Sequence, residues 1–246
     1  VILQKPTLTN YEFIGWFENE FFAGDEIISI TPTQMGELNL YAKFVLKIDY
    51  VKDEETYQLT LLTFALAFGD NHYPIPSIPV DHATSLKIQH VTCKQIFDHS
   101  YKHGYVFTNE DFSAAMCLTP MENRCDFDAQ KAYEEVLNYT DKEIAENYRD
   151  IFYRMGEGEN ALEYKKGDIF VELFAVTTTK QRQKLGSKLM RKLFEVCDEQ
   201  NRNIFLVTST ERNFDMYSHF GFELIKRDYC KELHALTYYL VRRPNK

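Results

Sequence analysis

The sequence contains no run of about eighteen or more apolar residues, so no membrane-spanning helix is predicted. The sequence also lacks an excess of basic residues, because it contains 28 Lys and Arg but 37 Asp and Glu. The resulting net charge of -9 disfavours a nucleic-acid-binding protein. No pair of the 5 cysteines has C-x-x-C spacing, which argues against a zinc cluster or a redox dithiol. A signal peptide is not apparent at Val1, and we expect reduced thiols in a cytoplasmic protein.

A folded core is nevertheless expected, because 44% of the residues are hydrophobic and 15% are aromatic. The chain of 246 residues can form one full-sized domain and a small appendage. Residues 1–44 are rich in aromatic side chains and turns, and they predict β-structure. Residues 45–246 alternate between strand and helix patterns, so we predict a second domain there.

Two short segments of the first part carry a resemblance. YEFIGWF at Tyr11–Phe17 and LYAKF at Leu40–Phe44 resemble the Listeria–Bacteroides repeat, a β-grasp-like module of bacterial surface proteins. The resemblance implies that residues 1–44 form a partial, all-β copy of that repeat. Its opening strand has no counterpart before Val1, so we expect either a longer parent chain or a degenerate copy.

The region before residue 168 is predicted as alternating strands and helices that end at turns. The predicted elements are a strand at Lys47–Val51, helices at Tyr57–Phe68 and Ala83–Tyr101, and a hairpin of Tyr105–Asn109 with Phe112–Leu118. A helical insertion is predicted at about 127–160. Within it, Thr140 and Glu143 form a possible capping box that restarts the helix, and Gly156–Gly158 is expected to end it.

A strand, a polar turn and a helix follow one another near the middle of the second part. Ile169–Val176 is apolar except for Glu172, which predicts a buried central strand, and Ile204–Val207 predicts another. The turn leads into a helix whose first N–H groups lack partners, and such a helix start binds anions. Six basic residues and no acidic one lie between Leu173 and Phe194, namely Lys180, Arg182, Lys184, Lys188, Arg191 and Lys192. A polyphosphate ligand explains this local positive charge, although a solvated helix face is the alternative.

The turn also resembles a known motif. Gln181, Lys184, Gly186 and Ser187 follow a strand that ends in Ala175-Val176, as in motif A of the GNAT superfamily of N-acetyltransferases. Lys184 occupies the position of the motif's first glycine. A left-handed conformation there would be costly for lysine, whereas a place in the first right-handed turn of the helix would add a useful charge. We interpret Lys184 as part of that first turn.

A second motif supports the same resemblance. The segment Asn213–Phe222 resembles motif B of the superfamily, and its Tyr217 corresponds to the tyrosine that protonates the leaving thiolate of coenzyme A. The resemblance implies an α/β (α+β) fold with a mixed, mostly antiparallel sheet flanked by helices. It also implies a set of residues that bind acetyl-CoA: Ala175, Val176, Gln181, Arg182, Gln183, Lys184, Leu185, Gly186, Ser187 and Asn213.

Glu172 is the candidate general base, because a carboxylate in an apolar strand is costly unless it faces a cleft or a partner. An ion pair with a neighbouring strand or a solvent-facing position is the alternative. For Tyr217 the alternative is a packing role on a short helix. Phe170 and Phe174 are expected to share the face of Glu172 and to line an acceptor pocket or the core.

The sequence therefore predicts transfer of an acetyl group from acetyl-CoA to a small primary amine, by direct attack. His99 and His103 have helical metal-ligand spacing, but no further ligands complete a set, so no metal is predicted. A non-catalytic acetyl-CoA-binding or interaction module attached to a surface-type repeat is the alternative function. Neither nucleic acid nor a membrane is an expected partner, and the oligomeric state is left open.

Overall fold

The computed structural model describes residues 2–7, 11–19, 25–31, 36–46, 49–51, 53–69, 80–109, 111–160, 162–230 and 235–245. The chain divides into two compact units, Val1–Asp49 and Tyr50–Lys246. The boundary predicted from the sequence, near residue 45, lies close to this division. The assignment of each part to a named domain stays a prediction.

The first unit contains an antiparallel pair of strands, β1 (Tyr11–Phe17) and β2 (Tyr41–Leu46). Their register shifts between Phe13 and Gly15, which marks a β-bulge. A Cβ atom on Gly15 would lie 2.6 Å from Cγ of Glu26, so a larger residue would displace that exposed side chain. The predicted β-structure is thus present in the described residues of this unit.

The second unit is built on one mixed sheet. The strands of this sheet are β3 (Asp49–Tyr50), of which Tyr50 belongs to this unit, β4 (Tyr105–Thr108), β5 (Ala114–Pro120), β6 (Ile169–Val176), β7 (Ile204–Thr208), β8 (Glu223–Cys230) and β9 (Ala235–Arg242). They are ordered β3-β4-β5-β6-β7-β9-β8. From β4 to β8, the β6–β7 pair is parallel and the other pairs are antiparallel. The predicted fold class, a mixed and mostly antiparallel sheet flanked by helices, is confirmed.

Helices cover both faces of this sheet. They are α1 (Glu54–Gly69), α2 (His82–His103), α3 (Ala129–Val136), α4 (Lys142–Asn160), α5 (Leu185–Glu199) and α6 (Glu211–His219). Phe64 of α1 and Phe97 of α2 are buried in a core shared with Leu173, whereas Met190 of α5 packs with Leu240 in a core on the other face. None of the described helices is long and apolar enough to cross a membrane.

The predicted helical insertion consists of α3 and α4, which lie between β5 and β6 in the chain. The capping box predicted at Thr140 is wrong, because Asp141 Oδ1 accepts the N–H of Ile144 at 2.9 Å. The Thr140 hydroxyl instead donates to the carbonyl of Val136 at 3.2 Å. A carboxylate in reach of the free N–H groups therefore starts α4.

The predicted end of this helix at Gly156–Gly158 is also wrong, since α4 continues to Asn160. A Cβ atom on Gly158 would lie 1.9 Å from the hydroxyl oxygen of Tyr239. Glycine is thus needed for the close approach of α4 to β9, and it does not serve as a helix terminator here.

A β-bulge at Glu172 determines which face of β6 each side chain occupies. The register between β5 and β6 shifts beside this residue, so Glu172 is the extra residue of the bulge. Val171 packs in the core with α5, but Leu173 packs in the core with α1 and α2. The prediction that Phe170 and Phe174 share one face is therefore wrong. Phe170 packs in a core on the face of β6 opposite to α5, while Phe174 packs against α5.

Candidate active site

A gap opens between the two parallel strands at the centre of the sheet. Along these fully described strands, β6 and β7 pair only from Ile169–Val171 to Ile204–Leu206, although β6 continues for five more residues to Val176. The N–H of Thr177 donates to the carbonyl of Ser113 on the β5 side at 2.9 Å. Because N–H directions alternate along a strand, the N–H of Val176 points towards the gap.

The turn from β6 into α5 contains two left-handed residues. Arg182 has a φ angle of 64°, and Lys184 has a φ angle of 62°. The interpretation that Lys184 lies in the right-handed first turn is wrong, because it precedes the helix as a left-handed N-cap. The chain must reverse direction here, and each left-handed side chain costs about 1–2 kcal/mol. Turns of this kind direct successive N–H groups into an anion-binding concavity.

The N-terminus of α5 leaves backbone donors without helical partners. Its first helical hydrogen bond runs from the N–H of Lys188 to the carbonyl of Lys184. Within the described ranges no side chain caps this helix. The N–H groups of Leu185, Gly186 and Ser187 therefore remain available, with the positive end of the helix dipole behind them.

Gly186 allows this helix start to lie close against β6. A Cβ atom at this position would be 3.0 Å from Cζ of Phe174 and 3.2 Å from Cγ2 of Val176. Any larger residue would push the helix away from the strand or displace the Phe174 ring. Glycine therefore gives the closest packing here, and it keeps the free N–H groups beside the gap.

The predicted coenzyme-binding side chains surround this turn. The amide of Gln181 donates to the carbonyl of Val176 at 3.4 Å and closes the turn. Arg182, Gln183 and Lys184 are exposed. Ala175 differs, because its side chain packs on the opposite face of β6 with the α1–α2 core.

The motif that contains Tyr217 lies on the same face of β6 as the turn. Thr210 caps α6 by accepting the N–H of Asn213 at 3.2 Å, so this backbone donor is already used. Tyr217 is only 7% exposed, and its ring centroid lies 6.5 Å from that of Phe174. Since Phe174 also contacts Gly186, the helix start and Tyr217 flank one aromatic ring.

Glu172 is held by two donors from neighbouring segments. Its Oε1 atom accepts the hydroxyl of Thr119 at 2.6 Å and the N–H of Cys125 at 2.8 Å. Burial raises the pKa of this carboxyl above its usual value, and the two hydrogen bonds oppose that rise in part. No ion pair involves Glu172 among the described residues, so the alternative of an ion-paired strand residue is not supported.

A cavity of about 230 Å³ lies next to Glu172. Its lining comes from α4, β6, the loop at 124–127, Ile96 and Val207. Arg124 in this lining forms an ion pair with Glu159 and lies over the ring of Phe170 at 5.4 Å. The roles of Thr119, Cys125 and Arg124 are not predictable from the sequence, because each depends on contacts between distant segments.

The two histidines with metal-ligand spacing, His99 and His103, are not part of a larger set of ligands in the described structure. His99 Nε2 lies 2.7 Å from the carbonyl of Asn123, and the rings of His99 and His103 are 4.9 Å apart. In the part of the chain that the structure describes, no group of three or more His, Cys, Asp or Glu side chains could hold a metal ion.

Comparisons with known proteins agree with this architecture. Residues 130–239 match the family described as the acetyltransferase (GNAT) domain. A solved structure from Corynebacterium glutamicum, described as histone acetyltransferase HPA2 and related acetyltransferase, aligns with a TM-score of 0.51 at 13% identity. The alignment covers 79% of this chain and 94% of that chain.

Two further solved structures are less similar. Agmatine N-acetyltransferase aligns with a TM-score of 0.49 at 12% identity, over 79% of this chain and 97% of that one. An N-acetyltransferase from Staphylococcus aureus aligns with a TM-score of 0.45 at 13% identity, over 78% and 98%. No curated protein matches the sequence. The comparisons also give no evidence for the Listeria–Bacteroides repeat.

The fold and the domain match together define the class of the protein. Its second unit has the GNAT fold, and the segment that matches the GNAT domain family, residues 130–239, contains β6, α5 and α6. The protein is an acyltransferase.

Proposed function

We propose that the protein transfers the acetyl group of acetyl-CoA to the primary amine of a small acceptor. The observation that carries this proposal is the start of α5, where the N–H groups of residues 185–187 lack helical partners beside the β6–β7 gap. Enzymes with this fold use acetyl-CoA, and a diphosphate matches both the donors and the local positive charge.

The residues present fit such a ligand. Backbone donors of Leu185, Gly186 and Ser187 would hold the diphosphate, while Arg182 and Lys184 would add charge from exposed positions. The N–H of Val176 would hydrogen-bond the thioester carbonyl in the gap. Gln181 supports the turn through its bond to Val176, and the close packing of Gly186 keeps these donors in place.

Proton transfer is assigned to two residues on opposite faces of β6. Glu172 takes a proton from the acceptor nitrogen, directly or through water, as that nitrogen bonds to the carbonyl carbon. Tyr217 gives its proton to the sulfur as the carbon–sulfur bond breaks, and water restores it. A tyrosine with a free pKa of about 10 and a thiol with one of about 8.5 make this transfer feasible only with good positioning.

Lys184 does not favour the alternative of a non-catalytic module. It adopts the left-handed conformation that the GNAT resemblance assigns to glycine, so the shape of the turn is kept at a cost in stability. A cytoplasmic location follows from the use of acetyl-CoA. The partial repeat predicted at residues 1–44 is of a type found on surface proteins and would indicate an extracellular location instead. It stays a prediction.

Thermal unfolding with and without acetyl-CoA tests the proposal. A ligand at a hundredfold excess over its Kd stabilises a protein by about 2.7 kcal/mol. Gly186→Val should abolish this stabilisation, whereas Glu135→Gln, at an exposed position on α3 away from the turn, should retain it. Release of free thiol with a panel of amines then establishes turnover. Stabilisation without thiol release from any amine would favour the non-catalytic alternative, and no stabilisation would refute both.

A further inference from the structure

The cavity beside Glu172 has an unbalanced set of charges. Four carboxylates line it, from Asp126, Glu157, Glu159 and Glu172, against a single cation, Arg124. Arg124 is already engaged, because it pairs with Glu159 and donates from Nη2 to Oδ1 of Asn160 at 2.7 Å. Three carboxylates of the described lining are therefore left without a cation.

These three carboxylates occupy different depths. Asp126 and Glu157 are exposed and form part of the cavity mouth, whereas Glu172 belongs to the central strand and is half-buried. Both described hydrogen bonds of Glu172 end on Oε1, so Oε2 keeps its capacity to accept an N–H from a molecule in the cavity. The cavity thus offers one acceptor site inside and a second negative site at the mouth.

Aromatic side chains provide much of the remaining lining. Phe127 and Phe152 stack with ring centroids 4.3 Å apart, and Tyr153 and Phe170 also line the cavity. Aromatic rings attract cations through their negative faces. The volume of about 230 Å³ suits a small molecule, because sites for drug-sized ligands have volumes of roughly 300–1,000 Å³.

We propose that the acceptor is a small molecule with two cationic groups, a diamine or an amine with a second basic group. Asp126 and Glu157 hold the distal cation at the mouth, and the reacting amine lies at Glu172. This inference rests on the proposed acetyl transfer and narrows its substrate class. Acceptors that carry a carboxylate are excluded by the same charges.

Calorimetric titration of the protein saturated with coenzyme A tests the proposal. The probes are a four-carbon diamine, the four-carbon monoamine and the four-carbon amino acid with a terminal amine. We expect the diamine to bind about tenfold more tightly than the monoamine, because its second cation gains surface ion pairs with Asp126 and Glu157. The amino acid should bind more weakly than either. Equal binding of diamine and monoamine, or no binding of the diamine, would overturn the inference.

A variant without the two carboxylates at the cavity mouth tests whether diamine binding depends on these residues or only on the net charge of the protein. Asp126→Asn combined with Glu157→Gln keeps the side-chain volumes and should weaken diamine binding about tenfold, and monoamine binding much less. Glu135→Gln, an exposed position on α3 outside the cavity lining, is the matched control and should change neither. A double variant that binds the diamine as well as the wild type does would also refute the assignment.

Failure of this inference can be told apart from failure of acetyl transfer. If acetyl-CoA stabilises the protein and monoamines release thiol as efficiently as diamines, only the substrate class is wrong. If acetyl-CoA neither stabilises the protein nor releases thiol with any amine, the proposed function itself is wrong.

Discussion

Replacing Glu172 with glutamine separates its chemistry from its place in the fold. The Oε1 atom of the carboxylate accepts hydrogen bonds from Thr119 and Cys125. Glutamine has the same shape, and its carbonyl oxygen can accept both of these bonds. What the variant loses is the ability to take a proton at the other oxygen. A change in activity can therefore be assigned to base catalysis, provided that the fold is retained.

The expected loss of activity is large. A positioned general base contributes a factor of about 10²–10⁴, equivalent to roughly 3–5 kcal/mol of barrier. Thiol release under saturating acetyl-CoA should show this loss in kcat for Glu172→Gln. Because burial raises the pKa of the carboxyl, wild-type kcat/KM should fall on the acid side with an apparent pKa above that of an ordinary glutamate. The variant should lack this acid limb.

Glu172→Gln should lower the activity of the protein but should not lower its stability. A carboxyl with a raised folded-state pKa binds more protons when folded than when unfolded, so stability falls as pH rises from its unfolded to its folded pKa. Glu172→Gln removes this penalty, so the variant should be at least as stable as the wild type at neutral pH. The two should converge near the pKa of an ordinary glutamate. A variant that keeps full activity, or one that unfolds at neutral pH, would refute the reasoning.

Four further substitutions test other features of the structure. Lys184→Gly should raise the free energy of unfolding in urea by roughly 0.5–1 kcal/mol, because relief of left-handed strain exceeds the added chain entropy of glycine; lower stability would contradict the observed turn. Tyr217→Phe should reduce kcat by about 10²-fold or more while the Kd for acetyl-CoA measured by calorimetry stays the same, and unaffected turnover would remove Tyr217 from the mechanism. Asp141→Ala should lower the free energy of unfolding by about 1 kcal/mol through loss of the cap of α4, and Thr140→Ala should lower it less; the reverse order would restore Thr140 as the cap.

Local patterns were sufficient to predict the main elements of the second unit. The apolar run at Ile169–Val176 and the amphipathic helix after it appear as β6 and α5, because burial and periodicity are encoded in neighbouring residues. The helix before Gly104 also ends where glycine predicts, with a hydrogen bond from its N–H to the carbonyl of Ser100.

Features that depend on distant segments were not predictable. The bulge at Glu172 follows from the register between β5 and β6, and it reverses the faces of Phe170 and Phe174. The continuation of α4 through Gly158 depends on Tyr239, which lies 81 residues later in the chain. A glycine signals either a helix end or a close contact, and the sequence alone does not distinguish them.

The candidate site was predicted unevenly for the same reason. Resemblance to two motifs predicts a site at the turn near Gly186 and at Tyr217, and the structure brings both to one face of β6 around Phe174. The predicted conformation of Lys184 is wrong, because a side chain at a glycine position does not reveal whether the turn keeps its left-handed geometry. The roles of the turn in binding and of Tyr217 in catalysis stay predictions.

Titration of isotope-labelled protein with acetyl-CoA, followed through its backbone amide signals, tests the central claim most directly. We predict that the amides of Leu185, Gly186 and Ser187 shift strongly and saturably as they donate to the diphosphate, while amides in the middle of α1 stay in place. Saturable binding that leaves the three amides at the start of α5 unmoved would contradict the account.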